Sequence, residues 1–165
     1  MKQRTEKTWS KNDNWETKDY ILDWIKREIF DWQPFFDPCP LSIEDSEWNF
    51  QIQFDGLAID WKTRNFINPP YNITDKPKFV KKAFDESKKW NTCVLLLPAT
   101  TETKWFHDYL ANNACIYLIK WRVKFKWYNS KWEYVTNKTG QSGSMICVLW
   151  PGIKPGITTL EIDHI

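Results

Sequence analysis

From Thr92 to Leu97 the chain reads Thr-Cys-Val-Leu-Leu-Leu, and Pro98 stops the run. A strand with one face in water alternates apolar and polar residues. A run without alternation has to bury both faces, which is the pattern of an interior strand in a parallel sheet. Such a strand needs a helical layer on each side, and the flanking segments supply the apolar faces. Lys76 to Lys89 carries Phe79, Val80, Ala83 and Phe84 at helical spacing. Thr103 to Asn112 carries Trp105, Phe106, Tyr109 and Leu110 in the same way. Asn65-Phe66-Ile67 reads as a very short strand before the first of these helices, and Cys115 to Ile119 as a strand after the second. Strand, helix, strand, helix, strand is the order of a parallel α/β sheet.

Upstream, Thr17 is placed to cap a helix running to about Phe30, with Ile21, Trp24, Ile25 and Ile29 on one face. Trp32 to Asp37 is expected to be a short strand, ended by Asp37-Pro38-Cys39-Pro40. Phe50, Ile52 and Phe54 alternate with polar residues before Asp55-Gly56, which suggests a further extended segment. Past residue 119 the helices stop. Val123–Tyr128, Trp132–Val135 and Ser144–Trp150 read as strands in succession, which favours antiparallel hairpins at one end of the sheet. The expected organisation is a polar, poorly ordered segment 1–14, a single domain over 15–150, and a tail over 151–165 that docks or hangs free. The 165 residues are enough for one core without disulfides. Cys39, Cys93, Cys115 and Cys147 form no C-x-x-C pair and read as free thiols of a reducing compartment. Met1 is followed by a charged stretch and not by an apolar leader. With no run long enough to span a membrane, a cytoplasmic location is expected.

In open α/β sheets ligands bind beyond the carboxyl ends of the strands. Asp37 and Asn68 both fall at such ends, so one edge of the sheet is the expected site. The residues Asn68-Pro69-Pro70-Tyr71 each have a chemical use there. An amino group conjugated to a ring, such as that of adenine, is a poor nucleophile because its lone pair is delocalised. Acceptors for both its hydrogens hold the nitrogen in a more reactive geometry. The Asn68 side-chain oxygen and the Pro69 carbonyl can take those places. The two prolines fix the turn, and Tyr71 can stack on the face of a base. The plainer alternative is a Pro-Pro turn with Tyr71 as a packing residue.

At this point the sequence resembles a known family, the small phage-type DNA N6-adenine methyltransferases. The strongest stretch is Phe66-Ile67-Asn68-Pro69-Pro70-Tyr71, then a helix, then Val94-Leu95-Leu96-Leu97-Pro98-Ala99 and Thr100-Thr101-Glu102-Thr103-Lys104-Trp105-Phe106-His107. Trp15-Glu16-Thr17, Asp37-Pro38-Cys39, Asp55-Gly56-Leu57 with Asp60-Trp61, Arg122-Val123-Lys124-Phe125 and Ser144-Met145 extend the series from Trp15 to about Trp150. The resemblance implies a Rossmann-like methyltransferase fold: a central, mostly parallel sheet flanked by helices, with antiparallel strands at one end. It implies S-adenosylmethionine as cofactor and DNA as partner, with methyl transfer to the N6 amino group of a flipped-out adenine in a phage or its bacterial host. The implied cofactor residues are Thr17, Asp37, Pro38, Cys39, Asp55, Gly56 and Leu57. Two departures stand out. The loop at Asp37 lacks the glycines that related methyltransferases carry, and the familiar Thr-Pro is Thr17-Lys18 here. A solvated turn or cap is the competing reading of each acidic residue.

The net charge of +2 neither demands nor excludes nucleic acid. Arg122, Lys124, Lys126, Lys131 and Lys138 are interleaved with Trp121, Phe125, Trp127, Tyr128 and Trp132. This pattern suits phosphates and bases, and it equally suits a hairpin whose lysines face water. His107 reads as structural, and no zinc-ligand set is visible. A homodimer stays open. Two further functions compete: methylation of another conjugated amino group (cytosine N4, RNA adenine or a protein glutamine), and a non-catalytic nucleic-acid-binding domain of the same fold.

Overall fold

The computed structural model describes residues 15–40, 55–128 and 134–162. Five strands form the main sheet: β1 (Arg64–Ile67), β2 (Thr92–Pro98), β3 (Cys115–Ile119), β6 (Ser144–Leu149) and β7 (Gly156–Leu160), in the order β1-β2-β6-β3-β7. β1 and β2 are parallel, as are β3 and β7, while β6 is antiparallel to both β2 and β3. The sheet is therefore mostly parallel, with one reversed strand in its interior. The remaining strands, β4 (Lys124–Tyr128) and β5 (Tyr134–Thr139), pair with each other in an antiparallel hairpin outside the main sheet.

Side-chain alternation divides the core in two. Cys93, Leu95, Leu97, Met145, Cys147 and Leu149 face one layer, formed by Phe79, Val80 and Ala83 of helix α2 (Lys76–Ser87) with Trp105, Phe106 and Leu110. Val94, Leu96, Ile146 and Val148 face the other, where Ile21 and Ile25 of helix α1 (Asp19–Glu28) pack. Both faces of β2 and β6 are buried, as their apolar sequences require. This is the helix–sheet–helix sandwich of a Rossmann-like α/β fold.

Several local expectations change. The three strands after residue 119 do not stay together. β6 is buried at every position and enters the sheet, whereas β5 is largely exposed and stays in the hairpin. Thr17 does not cap α1. The cap position is Lys18, whose side chain has no acceptor and makes no capping bond, while the Thr17 hydroxyl accepts from Asn68. Trp32 does not begin a strand. Asp31 and Trp32 adopt left-handed conformations (φ 48° and 58°) that turn the chain out of α1, and Phe36 alone forms a parallel bridge, to Asn65. Residues 103–112 begin helically but widen into a π-helical turn, Phe106–Leu110, closed by Ala111 N–H donating to the Phe106 carbonyl at 2.9 Å. The tail docks through β7 on the edge of β3. Phe50, Ile52, Phe54, Lys131 and Trp132 lie outside the described residues, as does the segment 1–14.

α2 is tied to its surroundings by a buried carboxylate. The Glu86 side chain is 1% exposed and accepts from Lys82 Nζ at 2.6 Å, Lys89 Nζ at 3.0 Å and Asn91 Nδ2 at 2.9 Å. Lys89 also reaches Asp60 at 2.8 Å, joining the helix end to the loop before β1. Burial pushes the Glu86 carboxyl up, but the hydrogen bonds from Lys82, Lys89 and Asn91 outweigh it and hold the group below the usual glutamate range. A depressed folded pKa gives stability that is complete above the unfolded value, about 4.3, and is lost as the pH falls through the folded value. Glu86→Gln is thus expected to flatten the acid limb of a denaturation-midpoint-versus-pH curve below about pH 4.3. An acid limb identical to wild type would show that Glu86 contributes nothing to it.

Candidate active site

β1 runs straight into Asn68-Pro69-Pro70-Tyr71. Asn68, Pro69 and Pro70 are buried and Tyr71 is half-buried. The Asn68 amide nitrogen donates to the Trp15 carbonyl at 2.6 Å and to the Thr17 hydroxyl at 3.1 Å. A backbone carbonyl can only accept, so the Trp15 contact decides which end of the amide is nitrogen. The other end, Oδ1, is buried and has no hydrogen-bond partner. A buried acceptor without a donor costs about 1–3 kcal/mol. Its retention suits a site that receives an N–H donor from outside the protein.

The main-chain carbonyl of Asn68 accepts from the Cys39 thiol at 3.4 Å. Burial and the neighbouring Asp37 charge push that thiol well above its usual value, so it remains a protonated donor. The Tyr71 hydroxyl donates to the Leu96 carbonyl at 3.4 Å, and burial raises the phenol so that it stays neutral. Its ring meets Phe125 edge-on at 6.1 Å, and Phe125 meets Trp15 edge-on at 5.4 Å.

Two loops converge on this point. Phe36 exchanges backbone bonds with β1, donating to the Arg64 carbonyl at 2.9 Å and accepting from Phe66 at 3.0 Å, which sets Asp37 at the same end of the sheet as Asn68. The Asp37 carboxylate accepts from Cys39 N–H at 2.8 Å, closing the Asp37-Pro38-Cys39 turn. In the second loop the exposed Asp55 accepts from Leu57 N–H at 3.0 Å, and the Trp61 indole donates to the Gly56 carbonyl at 2.7 Å. The loops touch at Gly56, where a Cβ would lie 1.9 Å from the Pro38 carbonyl oxygen. Contacts thus run from Gly56 to Pro38, from Cys39 to Asn68, and from Asn68 to Thr17.

The cations separate. Arg122 and Lys124 are exposed. Lys126 is mostly buried and lies 3.5 Å from Glu16 and 3.2 Å from Asp19. Burial lowers its pKa, but those two carboxylates outweigh that and raise it overall, so its charge is held inside the protein. Lys138 sits over the Trp15 ring at 5.0 Å, and Lys131 falls outside the described residues. His107 is exposed on the π-helical turn, edge-on to Phe106. Among the described residues no cluster of three His, Cys, Asp or Glu side chains is arranged to hold a metal, and no helix is long and apolar enough to cross a membrane. Residue-by-residue reading missed the Trp15 carbonyl, because a backbone acceptor leaves no trace in a sequence, and the role of Phe125 as a wall shared by Trp15 and Tyr71.

A mostly parallel sheet with helices on both faces and its polar turns gathered at the carboxyl ends of β1 and the Phe36 bridge defines a Rossmann-like α/β protein, the class of fold in which ligands bind outside the carboxyl ends of strands. The chain belongs to the DNA N-6-adenine-methyltransferase (Dam) family, whose family model matches residues 4–162. A solved structure from Listeria monocytogenes, assigned by name to the class I S-adenosylmethionine-dependent methyltransferases, is 15% identical. It aligns over 67% of this chain and 40% of its own, with a TM-score of 0.39, so the chain spans two fifths of that structure's length. No curated protein sequence matches the chain.

The contact between the two loops leaves no room for a side chain at position 56. Gly56→Ala is expected to destabilise the fold by on the order of 1–3 kcal/mol, read by denaturant titration. Gly156→Ala, where an added Cβ meets nothing within 4 Å, is the control and should fall within about 0.5 kcal/mol of wild type. Equal effects at the two positions would mean that the loops part without cost.

Proposed function

We propose that this protein transfers a methyl group from S-adenosylmethionine to the N6 amino group of adenine in DNA. The observation that carries the reading is the buried, unpartnered Oδ1 of Asn68, whose amide nitrogen is fully engaged by Trp15 and Thr17. An acceptor oriented in advance can take one hydrogen of an exocyclic amine without reorganising during the reaction. The Pro69 carbonyl takes the second hydrogen, and the Pro69-Pro70 pair keeps that acceptor fixed. The half-buried ring of Tyr71, backed by Phe125, gives an extruded base a face to stack on. The amino nitrogen becomes acidic as it is alkylated, so no general base is required.

The residues around Asn68 suit the cofactor by their chemistry. S-adenosylmethionine supplies an electrophilic methyl group on a sulfonium and carries an ammonium besides. Asp37 and Asp55, on loops that touch at Gly56 and Pro38, provide carboxylates for a cationic ligand beside Asn68. Leu57 lies on the same turn as Asp55 and offers apolar contact to a purine.

DNA as the acceptor rests on the family's description together with the exposed cations Arg122 and Lys124 at the start of the hairpin. Lys126 is set aside because Glu16 and Asp19 already neutralise it. Each duplex phosphate contact contributes roughly 0.9 to the slope of log affinity against log salt.

Two outcomes follow. Asn68→Ala is expected to lower kcat by about 10²–10³ while cofactor affinity, read by calorimetry, stays at the wild-type value. Wild-type turnover in that variant would overturn the assignment. Replacing both Arg122 and Lys124 with alanine is expected to reduce the salt slope of DNA binding by roughly 1.8 with cofactor affinity unchanged. A slope equal to wild type would move the DNA surface elsewhere.

A further inference from the structure

Asn68 is oriented by a segment 53 positions away in sequence. Free rotation of the amide would present its oxygen and its nitrogen to the acceptor site with similar shape, yet only the oxygen can receive an amino hydrogen. Nothing in the Asn-Pro-Pro-Tyr turn itself decides between the two. The choice is made by Trp15, whose carbonyl can only accept and lies 2.6 Å from Asn68 Nδ2; the Thr17 hydroxyl, 3.1 Å from the same nitrogen, then accepts its second hydrogen. Thr17 is buried and makes no capping bond to α1, so its hydroxyl is not needed for the helix.

The segment carrying both groups is itself held firmly. Glu16 and Lys126 exchange backbone bonds at 2.9 and 3.1 Å, an antiparallel bridge that fastens the segment along β4. The Glu16 carboxylate receives Lys126 Nζ at 3.5 Å and the Tyr134 hydroxyl at 3.0 Å, from both strands of the hairpin. Lys18 Nζ reaches Asn137 Oδ1 at 3.2 Å, and the Trp15 ring lies between Phe125 and Lys138. The hairpin braces the segment, and the segment faces Asn68 with two acceptors.

We propose that Trp15–Thr17 is a positioning strap for Asn68: the Trp15 carbonyl sets which end of the amide is nitrogen, and Thr17 is a positioning residue whose hydroxyl, by accepting the second amide hydrogen, holds the Asn68 oxygen turned to the acceptor amine. The inference rests on the methyl-transfer reading for its kinetic consequence, but the hydrogen bonds themselves can be tested without it. Thr17→Val keeps the shape and removes the acceptor. It should lower kcat on adenine-containing duplex by on the order of tenfold to a hundredfold with the dissociation constant for S-adenosylmethionine unchanged. Thr17→Ser, which keeps the hydroxyl, should restore kcat. A weaker cofactor complex with unchanged kcat at saturation would overturn the proposal and make Thr17 a cofactor contact. The second measurement needs no turnover. In an amide NMR spectrum of the whole protein, the Asn68 side-chain NH2, identified by its absence in Asn68→Asp, should show slow solvent exchange at both protons. One of the two should become fast in Thr17→Val. Fast exchange of both in the wild type would overturn the strap. A wild-type protein that methylates no adenine but keeps both protons protected would fail the functional reading alone and still support the strap.

Discussion

Burial of β2 on both faces is the constraint on which the rest of the molecule depends. A strand whose side chains alternate between two apolar layers cannot exist without a helix on each side, and α1 and α2 with the π-helical turn provide them. Each layer also needs a neighbouring strand that is apolar on both faces, and β6 meets that need from the far side of the hairpin. The hydrophobic effect fixes the layers without regard to direction. The hydrogen-bond ladder then runs β6 antiparallel, because the hairpin returns the chain to the sheet at the end where β2 finishes, with Pro98 opposite Ser144.

This arrangement gathers the polar turns at one edge. Parallel strands all end on the same side, so turns far apart in sequence meet there. Asp37 follows the Phe36 bridge, Asn68 follows β1, and the Gly56 loop closes over Pro38. Backbone and side-chain bonds hold these turns against each other. On the proposed methyl-transfer reading such holding matters, because an acceptor for a weakly nucleophilic amine works by being in place before the reaction. A mobile asparagine would have to be reoriented at each turnover.

The hairpin contributes a second constraint. With its own two-stranded sheet it would be marginal alone, and it is secured by the segment before α1 through backbone pairing, carboxylates and aromatic edges. The dependence runs in both directions. The segment that steadies the hairpin also binds the Asn68 amide, and Lys126, which by composition looks suited to a phosphate, pairs instead with Glu16 and Asp19 of that part of the chain.

The apolar layers were legible in the sequence alone, and so was the polar turn on which the proposed site is built. The unbroken apolar run after Thr92, the helical spacing of Phe79, Val80 and Ala83, and the Asn-Pro-Pro-Tyr turn after a short strand are local patterns, and local patterns survive folding because burial acts on each residue's own side chain. The extended segment at Cys115–Ile119 was legible for the same reason. Sequence could not supply what depends on partners distant in the chain. It put β4, β5 and β6 together, because all three alternate or bury in similar ways, and only packing decided that β6 belongs inside the sheet. It offered Thr17 as a helix cap, a reasonable local use, but the hydroxyl found Asn68. It could not see the Trp15 carbonyl, since every residue has one whatever its side chain. The orientation of Asn68 was settled in three dimensions, by an acceptor-only group that the fold carries across 53 positions to the amide nitrogen.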